Sequence, residues 1–141
     1  MSAPPSTQDA YNELSFYTLT HGDPAFVHQH AADAYAAQNA SAEGKPISAV
    51  FALIGLYLHV EKGYSGREVQ RAHTRLAGKR RIWPSLPLPS NRGALTVRDV
   101  VATVPGPARD QAIEAWCASV WNAYGDSHGA IADLARSALG I

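Results

Sequence analysis

Cysteine is nearly absent. Cys117 is the only one in 141 residues, which excludes an intrachain disulfide and a cysteine-rich zinc cluster and suits a reducing compartment, with cytoplasm as the default. Charge is scarce at 17% of residues, and 12 basic side chains cancel 12 acidic ones, so no global field draws the chain to nucleic acid or an anionic membrane. Long apolar runs are missing too. The longest, Ala49 to Leu58, contains Gly55 and is too short to span a bilayer, and Met1 to Thr7 lack the basic start and apolar stretch of a secretory signal. Alternating apolar and polar runs rich in β-branched residues scarcely occur, which argues against sheet.

Helix signals are abundant. With 46% hydrophobic residues in a length suited to one domain, the chain reads as a single soluble all-α domain, a bundle of six or seven helices over residues 1–141 with a flexible start at 1–6. Ser6 with Asp9 suggests a capped helix to about Leu19, and Asp23-Pro24 predicts a second over Ala25 to Gln38. Pro46 opens the central helix, Ile47 to Lys62, which Gly63 ends in a left-handed cap. Ser65 and Glu68 box the next, to Ala77, and Thr96 and Asp99 cap a short one to about Thr103. Two more run from Ala108 to Tyr124 and from Ser127 to Leu139. Between the helix ending at Ala77 and the one capped by Thr96, residues 82–95 form a long loop in which Pro84, Pro87 and Pro89 block helix.

Six histidines are the first place to look for chemistry, but no His-x-x-x-His or Glu-x-x-His pair occurs, so a metal site would have to be assembled from several helices. At about 100° per residue, His28 shares a face with Ala31, Tyr35 and Gln38, while His30 and Asp33 share another and sit three residues apart. That second pair has the form of a carboxylate orienting an imidazole, or of a surface ion pair. Glu61 falls in line with Val50, Ile54 and Tyr57, the expected buried face, but in the last turn of its helix, so it is either an inward carboxylate or emerges at the end of the bundle. His59 follows a strip of small residues, Ser48, Ala52 and Gly55, that lets a neighbouring helix approach closely. His73 lies with Val69, Ala72 and Leu76 and points inward, the usual place of a core histidine. His28, Glu61 and His73 thus sit on three successive helices and form a speculative basis for an acid–base or divalent metal site, zinc or iron. Cys117 is mid-helix with no activating cation, which argues against a thiol nucleophile. Trp116, Val120, Trp121 and Tyr124 form a bulky stripe suited to core or to a homo-oligomer interface.

Opposite the apolar face of the fourth helix, Arg67, Arg71 and Arg75 continue into Lys79, Arg80 and Arg81, beside Trp83. Such a stripe can neutralise phosphates while an indole stacks on a base, although overall neutrality favours a solvated face over nucleic acid.

The chain resembles an uncharacterised bacterial family of small helical proteins, a domain of unknown function. The resemblance rests on Asp23-Pro24-Ala25, His28, Asp33-Ala34-Tyr35 and Gln38, on Leu58, Glu61 and Gly63, and on Trp83-Pro84 leading to Thr96-Val97-Arg98-Asp99-Val100. Some relatives carry a Cys-Pro-Gly-Cys element that looks metal-binding; this sequence has none, so no amino-terminal zinc knuckle is implied. The resemblance implies no activity, but it directs attention to His28, Asp33, Tyr35, Gln38 and Glu61 ahead of His21, His30 and His128.

The leading expectation is an inter-helix pocket that binds a small molecule or a divalent metal. His28 would be the proton acceptor or ligand, with Asp33 or Glu61 orienting it and Tyr35 and Gln38 as hydrogen-bond partners. His59, His73 and Trp83 complete the expected lining, Trp83 at the rim. The competing expectation is a non-enzymatic oligomer that binds an anionic partner through Arg67 to Arg81.

Overall fold

The axis of the fold is α3 (Pro46–Val60), whose buried residues, from Val50 and Ala52 through Leu56 to Leu58, run round most of its circumference. A helix without a broad polar face must be surrounded. Against it pack α2 (His28–Gln38), α4 (Gly66–Ala77), α6 (Pro107–Ala123) and α7 (His128–Leu139). The first helix, α1 (Thr7–Thr20), lies on α2 and on the short α5 (Val97–Val101), which in turn meets α6. This computed structural model describes residues 6–20, 23–79 and 81–141, and among them there are seven α-helices and no strand, so the domain is all-α. The expected flexible start (residues 1–5 of it), His21 and Arg80 lie outside the described residues.

Local capping chemistry sets several of the helix ends. The Ser65 hydroxyl accepts from the Glu68 N–H at 3.2 Å, while the Glu68 carboxylate accepts from the Ser65 N–H at 3.0 Å, so two orphan donors at the start of α4 are satisfied reciprocally. Asp99 accepts from the Thr96 N–H at 2.8 Å ahead of α5. Beyond α3, Gly63 turns left-handed with φ 72°.

The second helix departs from expectation. It begins at His28 rather than Ala25, and Asp23 caps a separate turn, taking the Ala25 N–H at 2.9 Å and the Val27 N–H at 3.1 Å. The break is at Phe26, the only described non-glycine residue with positive φ, at 57°. Long-range contacts hold this turn open: the Ala25 carbonyl accepts from the Arg67 N–H at 2.8 Å, and the Phe26 carbonyl presses on Gly66. A Cβ on Gly66 would stand 1.7 Å from that oxygen, so only glycine lets the start of α4 approach. Tertiary backbone pairing has overridden the local helix signal.

The aromatic stripe of α6 is core. Trp116, Trp121 and Tyr124 are almost wholly buried, and each polar tip finds a partner: Gln38 Oε1 at 2.9 Å, Glu61 Oε1 at 2.8 Å and the Ala37 carbonyl at 2.6 Å. Residues 82–95 are irregular but anchored. Trp83 stands edge-on to Phe51, with ring centres 5.2 Å apart, and the Gln38 amide donates to the carbonyls of Arg92 and Leu95 at 3.2 and 2.7 Å.

Candidate functional site

Where the start of α2, the end of α3 and the outer face of α6 converge, a cleft of about 730 Å³ opens, large enough for a small molecule. His30 of α2, His59 of α3 and Glu114 of α6 line it, with Asp23, Tyr64 and Asp110 around them. The rings of His30 and His59 are stacked, centres 3.4 Å apart. His59 is held from both sides: its Nδ1 lies 2.8 Å from the Tyr64 carbonyl and its Nε2 2.8 Å from Glu114 Oε2. Both partners can only accept, so the geometry fits an imidazolium with a proton on each nitrogen. His30 is only 3% exposed, and its Nδ1 is buried without a hydrogen-bond partner.

The two rings therefore separate in basicity. Burial, then the neighbouring His59, pushes the pKa of His30 down to about 4. Burial acts in the same direction on His59, but its bonds to Glu114 and Tyr64 outweigh it and lift the pKa above the ordinary value. The bond to His59 holds Glu114 below the usual carboxylate range. One neutral and one charged imidazole side by side is an arrangement suited to general acid–base work.

A family model described as Family of unknown function (DUF5946) matches residues 3–125. The chain belongs to this family. No curated protein and no solved structure matches it. The part matched to DUF5946 includes every residue of the cleft, whereas α7 lies beyond it.

The residues singled out in this DUF5946 chain are spread over several places. His28 is half-buried and faces α1, its Nδ1 2.9 Å from the Thr18 hydroxyl; burial lowers its pKa. Glu61 is exposed one residue past the end of α3 rather than buried in its last turn, and accepts from Trp121. His73 bonds the Phe51 carbonyl through Nε2 at 2.8 Å, and burial lowers its pKa. Each of the three is thus engaged with a different neighbour, and among the described residues no three His, Cys, Asp or Glu side chains are grouped to hold a metal ion. The triad of His28, Glu61 and His73 does not assemble. Three successive helices do not point their polar residues at one spot unless their rotations agree, and here they do not.

Asp33 does not orient His30, for both Asp33 Oδ2 and His30 Nδ1 are buried without a partner. Its carboxyl sits over Gly55, where a Cβ would come within 2.0 Å of Oδ2, and Oδ1 accepts from Gln29 at 3.1 Å. Burial raises its pKa well above the usual value. Gln29 also reaches His73 Nδ1 at 3.4 Å, so Asp33, Gln29, His73 and the Phe51 carbonyl form a polar thread between α2, α4 and α3. Tyr35 stacks on Tyr11, 4.0 Å between ring centres, and Gln38 ties α2 to Trp116 and the proline-rich loop, both away from the cleft. Trp83 packs on Phe51 rather than at the cleft rim. Of the sequence candidates, His59 lines it, together with His30 of the expected His30–Asp33 pair.

The basic face is partly occupied. Arg67 lies over the Phe26 ring at 4.8 Å, Arg81 over Trp83 at 5.6 Å, and Arg75 donates to the Leu139 carbonyl at 3.1 Å. Cys117 is buried beneath the cleft, its thiol 3.6 Å from the His30 carbonyl; burial first, then Glu114 and Asp33, raise its pKa well above the ordinary value, as befits an inert thiol.

The family resemblance places His30 behind His28, and the sequence pattern does not single out Glu114. A signal for Glu114 did exist: Glu114, Cys117 and Trp121 follow one stripe of α6, so a carboxylate stands at the head of a core stripe, beside the polar Asp110 and Gln111. Nothing local shows that this stripe meets His59, 55 positions earlier.

Proposed function

We propose that this protein binds a small polar organic molecule in the His30–His59–Glu114 cleft and is equipped there for acid–base chemistry. The observation that carries this reading is the stacked pair of His30 and His59 at the wall of an open cleft, one imidazole held neutral by burial and the other bonded to Glu114. A neutral imidazole at a cleft wall is an acceptor for a ligand hydroxyl or amine. Tyr64 and Glu114 hold both nitrogens of His59, which fixes and polarises the pair, and His30, neutral at pH 7, is the proton acceptor. The carboxylates of Asp23, Asp110 and Glu114 surround the two rings, which favours a ligand with hydroxyl or amine donors over an anion.

The strained turn beside the cleft supports the same reading. Phe26 holds a left-handed backbone that costs roughly 1–2 kcal/mol, and such strain tends to be retained where it shapes a site. We place the protein in a bacterial cytoplasm, in keeping with its one buried cysteine; no helix among the described residues is long and apolar enough to cross a membrane.

The test is a fragment screen of hydroxylated and amine-bearing compounds, read by the ring resonances of labelled histidines in the wild type, His30→Ala and His59→Ala. A hit that moves both rings and is lost in both variants supports the assignment. Hits that bind both variants as tightly as the wild type defeat it.

A further inference from the structure

A second cleft, of about 580 Å³, lies where the loop before α5 meets the start of α1 and the end of α2. Its chemistry is opposite in sign to that of the first. Arg92 and Arg98 both line it, and neither is in an ion pair among the described residues. Arg92 is half-buried, and its guanidinium is fixed by main-chain carbonyls alone: Nε donates to Pro89 at 3.1 Å, and Nη1 to Gln38 at 3.2 Å and to Ala40. Carbonyls orient the cation without neutralising it. Arg98 is exposed and reaches the Thr7 hydroxyl through Nη2 at 3.4 Å. The carboxylate nearest in sequence, Asp99, is bonded to the N–H and hydroxyl of Thr96 at 2.8 and 3.2 Å.

A half-buried guanidinium held in place with no counter-ion is a site prepared for one. Thr7 and Ser90 line the same space, and their hydroxyls add donors that a tetrahedral oxyanion accepts and a planar carboxylate uses less fully. Two unanswered positive charges match a dianion. We infer that this cleft is a binding site for the phosphate group of a small phosphorylated molecule, with Arg92 as the fixed anchor and Arg98 as the exposed arm that closes on it.

Inorganic phosphate is the probe, titrated at constant ionic strength against the full labelled chain, with the backbone amides of Gly93, Thr96 and Arg98 observed. The expected result is saturable shifts confined to these amides, weaker response to acetate, and a dissociation constant raised about tenfold or more in Arg98→Gln. Arg98→Lys keeps the charge but loses the planar fork, and provides the same comparison should Arg98→Gln fail to fold; it too is expected to bind more weakly. The inference is overturned by a wild type without saturable shifts, by acetate acting as strongly as phosphate, or by variants that bind as tightly as the wild type. Because His30 and His59 lie in the other cleft, failure here leaves the proposed function untouched, and the reverse also holds.

Discussion

His30 and His59 lie face to face, their planes 16° from parallel, so the pair can carry one positive charge but two would repel at 3.4 Å. Glu114 decides which ring has it, because its carboxylate is bonded to His59. Proton affinity inside the cleft is thereby set by a residue from a third helix.

Histidine ring titrations followed by NMR are expected to show His30 neutral down to about pH 4 and His59 titrating above the ordinary histidine value. Glu114→Gln is expected to lower both midpoints, since the carboxylate favours the charged form of each ring and His59 is still protonated where His30 titrates. Unchanged midpoints in Glu114→Gln would mean the bond seen at 2.8 Å does not govern the pair.

The same bond makes stability depend on pH in a bounded window. The raised pKa of His59 contributes stability that is full below the unfolded value of about 6.5 and is lost as pH rises through the folded value. The depressed pKa of Glu114 contributes above its unfolded value of about 4.5 and is lost as pH falls through the folded one. Urea denaturation is expected to show the greatest difference between wild type and Glu114→Gln between these limits. With the Glu114 side chain 56% exposed, that difference should not exceed about 1 kcal/mol.

Asp33 should behave in the opposite sense to Glu114. Its raised pKa means that stability is full below the unfolded carboxyl value of about 4 and falls as pH rises toward the folded value. Asp33→Asn has no charge to bury, so its stability should exceed that of the wild type by a margin that grows above pH 4. Parallel stability curves for the two proteins would show that Asp33 is not held in its neutral form.

Gly55 and Asp33 are expected to be strongly coupled. Gly55→Ala drives a methyl to within 2.0 Å of the carboxyl oxygen and should cost about 1–3 kcal/mol. In Asp33→Ala the carboxyl is gone and only the 3.2 Å approach to His73 Nε2 remains, so adding Gly55→Ala should then cost less. Additive losses across this double-mutant cycle would place the steric conflict elsewhere.

Glu61 should matter to the core and not to the cleft. Glu61→Ala leaves the Trp121 N–H without its acceptor and is expected to cost about 1–2 kcal/mol, whereas Glu61→Gln retains an oxygen and should be nearly neutral. Both variants should bind cleft ligands as the wild type does; loss of binding in Glu61→Gln would restore this residue to the site.

What the amino-acid order determined unaided was local: the all-α class, the capping box at Ser65, the left-handed Gly63 and the buried stripe from Trp116 to Tyr124. These follow from hydrogen bonds and side-chain periodicity within a turn or two of helix, which a reading along the chain contains. The tertiary structure alone decided that α2 starts at His28, because its preceding turn pairs with α4, and that His59 meets His30 and Glu114 while His28 turns toward Thr18. A helix's sequence tells which residues share a face, but not how far the helix is rotated against its neighbours. The two residues from His28 to His30 turn about 200° round the helix, which puts His30 in the cleft and His28 against Thr18.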